Sequence, residues 1–349
     1  MPGQSLSRDL LLKESTRLKA AQLSKVPAFS NASDLESERG CSGLKPLEVN
    51  HETREVLRVP TFPVRLFRVL FQRRRPRGYM RLGSWMAHLF PSMQRISVPY
   101  NGGWISLDLR KIDHQTTFLD GASLYEAEEQ RLLEHLVPVG GTAIDVGANV
   151  GLYTITLARL VGPTGRVISY EPEVDSLLRN TAGLPQVLVR PFAVSNSEGP
   201  VIFRSHRSSS LSRVVSHVEA TSRDSVTGSV TLDAERSRLG LRTVDFLKID
   251  TEGAEPNALA GAQQLLSESS APVILFEWIP NFRSRWNKSA LSVLKENAGE
   301  GWRLFRVGWN RPAAEINSFE EPPEEANIFA FPPSRSSALQ RFLKYSGLS

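Results

Sequence analysis

The stretch TAIDVGANVGLYTITLARL, residues 142–160, restricts the fold more than any other part of the chain. A short β-prone run (142–146) passes through a turn with glycines at both ends, Gly147 and Gly151, straight into a helix-forming run, LYTITLARLV. Strand, glycine turn and helix in direct succession predict the first unit of an open α/β sheet, where ligands bind beyond the carboxyl ends of the strands. The next run, RVISYEP (166–172), predicts a neighbouring strand that ends at Glu171. Strand and helix patterns alternate from there on.

The spacing in the turn separates two cofactor classes. A dinucleotide fold needs G-x-G-x-x-G to bring a helix amino end onto a pyrophosphate, and this loop reads G-A-N-V-G. A more open turn beneath an acidic strand end suits S-adenosylmethionine, which carries no phosphate. Gly147, Asn149 and Gly151 are therefore the expected cofactor loop, glycine allowing positive φ and close approach. A carboxylate at Asp145 is placed to hold the cationic amino group of a methionine moiety, directly or through water. Glu171 is placed to accept from both ribose hydroxyls. The following run, PQVLVRPFAV, predicts a strand ending near Ala193, which puts Asn196 beside the adenine, with a plain turn role as the alternative.

VDFLKIDTEGAEPNALAGAQQLL, residues 244–266, predicts another strand, adjacent to the first, ending at Asp250. Glu252 and Glu255 suit the positive end of the helix that follows, and Pro256 suits its first turn. Asp250 is the first candidate for general base or acceptor positioning, followed by Glu252 and Glu255, with His114 more remote. These carboxylates have a second use in holding Mg²⁺, but acidic helix starts are common without a metal, so the favoured reading has no metal ligand. APVILFEW (271–278) predicts a buried strand whose Glu277 and Trp278 rim the same pocket, Trp278 as an aromatic wall or as packing. WRLFRVGW and NIFAF predict a closing hairpin, and NFRSRW a basic loop facing the acceptor. The Ser- and Arg-rich segment 204–230 reads as a long loop or lid containing His206 and His217, neither with metal-ligand spacing.

These motifs together resemble the FkbM family of methyltransferases. Asp145 to Gly151, Glu171-Pro172, Thr231 to Asp233 and Lys248 to Glu255 match the family's pattern, and the resemblance runs from about Tyr125 to Pro332. It implies a Rossmann-like class I methyltransferase fold: a mostly parallel seven-stranded sheet, helices on both faces and one antiparallel late strand. It also implies S-adenosylmethionine as cofactor and methyl transfer to oxygen, on a sugar or other small natural-product hydroxyl. Asn196 stands where many such enzymes have Asp.

The rest of the chain divides by composition. Residues 1–53 are polar and Ser-rich, with one amphipathic stretch, SRDLLLKESTRLKAAQL, and are expected to be mobile. Residues 54–94 are arginine-rich, with Phe62, Leu66, Val69 and Leu70 at helical spacing before Pro76. Segment 54–81 is either a solvated helix face or a dock on an anionic surface, and no nucleic-acid motif accompanies the arginines. ISVPYNGGWISLDLR predicts a hairpin at the start of the catalytic domain, 95–335, and 336–349 is read as a tail. The single cysteine, Cys41, rules out an intrachain disulfide and a Cys-rich zinc site. With no apolar run long enough to span a bilayer and no export-signal pattern, a cytoplasmic protein is expected. Two other classes share parts of this pattern: a nicotinamide-dependent oxidoreductase, which should show the phosphate-cradling spacing, and a non-catalytic scaffold that kept the fold.

Overall fold

The computed structural model describes residues 61–206, 213–215, 221, 224–280, 288–308, 311–316, 319 and 321–348. The amphipathic stretch near the amino terminus, His217 and the NFRSRW loop lie outside them.

Continuous apolar runs, buried on both faces, build the central sheet. The strands are β3 (Thr142–Val146), β4 (Arg166–Tyr170), β5 (Val187–Arg190), β10 (Phe246–Ile249), β11 (Val273–Trp278), β12 (Arg303–Gly308), β13 (Arg311–Ile316) and β14 (Ala326–Phe331). Their spatial order is β13-β12-β14-β11-β10-β3-β4-β5. From β5 to β11 all neighbours are parallel, and β14 enters antiparallel between β11 and β12. This is the class I methyltransferase winding, with one strand more than the expected seven: 311–316 folds back on β12 as an edge. Side chains two apart share a face, so Ile144 and Val146 join the core on one side of the sheet and Ala143 the core on the other.

Helices α4 (Ala127–Leu136), α5 (Leu152–Val161), α6 (Asp175–Thr181), α7 (Leu232–Arg238), α8 (Glu255–Ala260), α9 (Gln263–Ser267), α10 (Ala290–Asn297) and α11 (Ser336–Ser346) cover the sheet. Local chemistry sets several starts. Thr231 caps α7 by accepting from the Ala234 N–H, and the Asp233 carboxylate accepts from the Gln264 and Leu265 N–H groups at the start of α9. The Thr-Leu-Asp motif is thus a pair of helix caps. Residues 336–346, read from sequence as tail, are a helix whose Phe342 is fully buried against Phe305, Phe329 and Phe331.

Two regions depart from the sequence expectation. The segment 204–230 is not one long loop: β6 (Ala193–Val194), β7 (Gly199–Arg204), β8 (Arg213–Val215) and β9 (Ser225–Val230) form a second sheet in the order β6-β9-β7-β8. The run PQVLVRPFAV is broken at Pro191 and Phe192, and its end, β6, pairs with β9 instead of continuing along β4.

The amino-terminal part packs as a layer of its own. Helices α1 (Phe62–Phe71) and α2 (Tyr79–Leu89), hairpin β1 (Ile96–Tyr100) and β2 (Gly103–Leu107), and α3 (Ile112–Asp120) share a core that includes Val150 and Leu152 from the start of α5. The hairpin turns at Asn101 and Gly102, both at positive φ, as the Asn-Gly pair predicts. In α1 the stripe noted in the sequence is not the buried one. Val64, Phe67 and Phe71 face the core, while Phe62, Leu66, Val69 and Leu70 are exposed. Among the described residues no helix is long and apolar enough to cross a membrane.

Candidate active site

Strands β3, β4, β10 and β11 run in the same direction, so their carboxyl ends open on one edge of the sheet. The loops that follow them line a cavity of about 1040 Å³. One end is built by the β3–α5 turn and the end of β4. The Gly147 and Ala148 N–H groups both donate to the Tyr170 carbonyl, at 2.9 and 3.1 Å. Asn149, at φ 51°, then points its N–H at Glu171 Oε2, 2.9 Å away, and the Glu173 N–H donates to Oε1 at the same distance. Glu171 is thereby fixed by two backbone donors while each oxygen keeps acceptor capacity toward the cavity. Burial raises its pKa against these two bonds. Pro172, Phe192, Val194 and Phe203 line the same end, so the second sheet walls the cavity where a loop had been expected.

Gly147 has a further reason to be glycine. At φ 77°, a Cβ there would lie 1.7 Å from the Asp250 carbonyl oxygen. The turn after β3 is pressed against the end of β10, which couples the two motifs mechanically.

Between the two ends lies Lys248, the group that sequence reasoning missed. It is almost fully buried, donates to Asp250 Oδ2 at 3.1 Å, stands 3.8 Å from Asp145 Oδ1, and sits 4.5 Å from the centre of the Tyr153 ring. Burial works against its charge, but Asp250, Asp145 and Glu126 outweigh it and raise the pKa above the usual lysine range. A lysine in the otherwise apolar run FLKI was the available signal.

The other end of the cavity is acidic. Asp250, Glu252 and Glu277 each present a carboxylate oxygen within 4.8 Å of the others, a spacing able to hold a divalent cation. Burial first, and then Asp250, raise the pKa values of Glu252 and Glu277. Glu277 Oε2 is buried without a hydrogen-bond partner. Glu126, at φ 45° ahead of α4, accepts a hydrogen bond from the Tyr153 hydroxyl. Burial, followed by the charge of Asp250, raises its pKa to about 7. Nothing in the local pattern around Glu126 marks it in the sequence, since only the packing of α4 beside α5 brings it to Tyr153.

Several expected site residues do other work. Asp145 is fully buried, does not line the cavity, and accepts from the Thr154 hydroxyl at 2.6 Å. It acts on the site through Lys248. Gly151, at the start of α5, also lies off the cavity, and a Cβ there would come within 3.0 Å of the Leu177 side chain. Asn196 is exposed and, among the described residues, bonded within its Ser-Asn-Ser turn, as β6 leaves the β4 edge to pair with β9. Glu255 is buried and accepts from the Thr251 and Gly253 N–H groups and the Thr251 hydroxyl, which commits it to holding its own loop. Trp278 packs in the core and donates to the Pro322 carbonyl, so it is no pocket wall. His114 lines the cavity, but its Nδ1 accepts the Asp108 N–H and burial lowers its pKa, so Nε2 carries the proton and cannot serve as a base. Exposed His206 offers its carbonyl oxygen to Lys111. Gly147, Asn149, Glu171, Asp250 and Glu252 all line the cavity.

Known proteins resemble the chain in this region. Residues 145–304 match the Methyltransferase FkbM domain. The methyltransferase sdnD of Sordaria araneosa is 26% identical over 180 residues, covering 42% of this chain and 69% of that protein. Solved structures that overlay more loosely include a fibrillarin from Aeropyrum pernix with bound S-adenosyl-L-methionine, at 13% identity and a TM-score of 0.36, covering 68% of this chain and 82% of that one. Another is a SAM-dependent methyltransferase from Aquifex aeolicus, at 17% identity and a TM-score of 0.30, covering 61% and 94%. From the match over 145–304 and the strand order around it, the chain is a methyltransferase of the S-adenosylmethionine-dependent type.

Proposed function

We propose that the protein transfers the methyl group of S-adenosylmethionine to a hydroxyl oxygen of a sugar or other small polar natural-product acceptor. The observation that carries this reading is the single cavity that joins a backbone-anchored carboxylate, Glu171, to an acidic end containing Glu126 and Asp250. Glu171 receives the ribose hydroxyls, and the loop from Gly147 to Asn149 forms the floor beneath the cofactor. Pro172 and Phe192 offer apolar surface to the adenine. The cofactor supplies an electrophilic methyl carbon on a sulfonium, so most of the remaining work is alignment of the acceptor. Asp250, held by the Lys248 ammonium at 3.1 Å, accepts a hydrogen bond from the acceptor and orients it. As the new C–O bond forms and the C–S bond breaks, the hydroxyl proton passes to Glu126, whose pKa of about 7 suits proton transfer near neutral pH. The crowded carboxylates favour an uncharged or cationic acceptor over a phosphorylated one.

The test has two stages. Calorimetry with S-adenosylhomocysteine should give saturable binding that is weakened in Glu171→Ala and not reproduced by NADH. Incubation with deuteromethyl-labelled cofactor and a panel of sugars and polyols should then place the label on oxygen. Label on nitrogen or carbon would overturn the oxygen assignment. A folded protein that binds no S-adenosylhomocysteine would overturn the cofactor site and favour the scaffold alternative.

A further inference from the structure

Helices α1 and α2 are apolar on both sides. Their inner sides bury Val64, Phe67 and Phe71, and Tyr79, Met86 and Ala87. Their outer sides carry Phe62 and Val69 at 76% and 77% exposure and Trp85 and Leu89 at 59% and 54%. The inner contacts explain why the helices form; they leave the outer apolar residues without a use. Exposed apolar side chains grouped on two adjoining helices are unusual for a surface that meets only water.

The charge along the same segment is of one sign. Residues 61–107 contain eight arginines and no Asp or Glu. Arg73, Arg74 and Arg77, in the 72–78 connection between the helices, are all exposed. The acidic partner available nearby is Asp120, which pairs with Arg75 and also lines the cavity. The basic connection is therefore tied to a residue that lines the cavity.

We infer that the outer face of α1, the 72–78 connection and α2 is a docking surface for an anionic lipid bilayer. A bilayer accommodates both features together. Phe62, Val69, Trp85 and Leu89 enter the boundary between headgroups and acyl chains, and the guanidinium groups pair with lipid phosphates. A nucleic acid would satisfy the arginines but give the aliphatic side chains nothing to contact. Docking here brings the Asp120 side of the cavity toward the membrane surface through the Arg75–Asp120 pair.

The experiment is co-sedimentation of the full chain with vesicles of phosphatidylcholine alone or mixed with phosphatidylserine. Binding is expected only to the mixed vesicles, falling as salt is raised. Val69→Ser with Trp85→Ser, and separately Arg73→Glu with Arg74→Glu, should each weaken partitioning by about tenfold or more. Melting temperature and S-adenosylhomocysteine binding should be unchanged, since none of the four residues is buried. Equal binding to both vesicle types, or none to either, would overturn the inference. So would a concentration-dependent dimer that the Val69/Trp85 variant abolishes without lipid binding, because the face would then join two copies. Equal competition by free inorganic phosphate would show an anion site in place of a lipid surface.

Discussion

Replacing Lys248 with Met keeps the stem of the side chain and removes its charge from between two carboxylates. In the native protein Asp145 is fully buried and depends on Lys248, 3.8 Å away, and on the Thr154 hydroxyl. Loss of one partner from a buried charge arrangement costs about 3–5 kcal/mol, because the remaining charge is neither solvated nor paired. At about 2–4 °C per kcal/mol, the melting temperature should fall by roughly 6–20 °C. The deficit should depend on pH in a definite sense. Burial already raises the Asp145 pKa and Lys248 lowers it, so the variant raises it further. A carboxyl with a raised folded pKa binds more protons in the folded state than in the unfolded one. Its protonated form favours folding below the unfolded value, and that advantage fades as pH rises through the folded value. The gap between variant and wild type should therefore widen with rising pH and narrow as the ordinary aspartate range is approached. Adding Asp145→Asn to Lys248→Met should recover part of the loss. Thermal melts of the four proteins of this cycle across pH supply the measurement. A pH-independent deficit, or no recovery in the double variant, would refute the placement of Lys248 as the counter-charge of Asp145.

Glu126→Gln should lower kcat/KM by about 10²–10⁴-fold and abolish a wild-type rise in rate with pH centred near 7. The same variant should be the more stable protein at neutral pH and above, since a carboxyl with a raised folded pKa loses stability as pH climbs from about 4.5 to 7; chemical denaturation at two pH values checks this. Glu171→Ala strips the acceptor from the Asn149 and Glu173 N–H groups and should weaken S-adenosylhomocysteine binding by roughly 10–100-fold, on the order of 1.5–3 kcal/mol; unchanged affinity by calorimetry would remove Glu171 from the cofactor site. Gly147→Ala, even though it adds one methyl, should unfold the protein or abolish cofactor binding, because the new Cβ meets the Asp250 carbonyl. Phe342→Ala should cost about 3–5 kcal/mol in urea unfolding, as expected of a core aromatic and not of a tail.

The sequence by itself determined the α/β winding, the strand ends that face the cavity and the cofactor class. These rest on local patterns that need no distant partner: an apolar strand, a glycine turn, and a carboxylate where strand gives way to helix. Glu171 and Asp250 were legible for that reason. Tertiary structure decided which acidic groups are available for chemistry. Asp145 and Glu255 match the motif as well as Asp250 does, yet one is buried beneath Lys248 and the other is spent on the Thr251 and Gly253 N–H groups. Glu126 reaches the cavity only because α4 packs beside α5, a contact across 27 residues of chain to Tyr153. In α1 the sequence left the buried side open: helical spacing identifies an apolar stripe, but a helix with two such stripes needs its neighbours to decide which one is buried. Periodicity is a property of the local backbone, whereas burial, pKa and hydrogen-bond occupancy belong to the assembled fold.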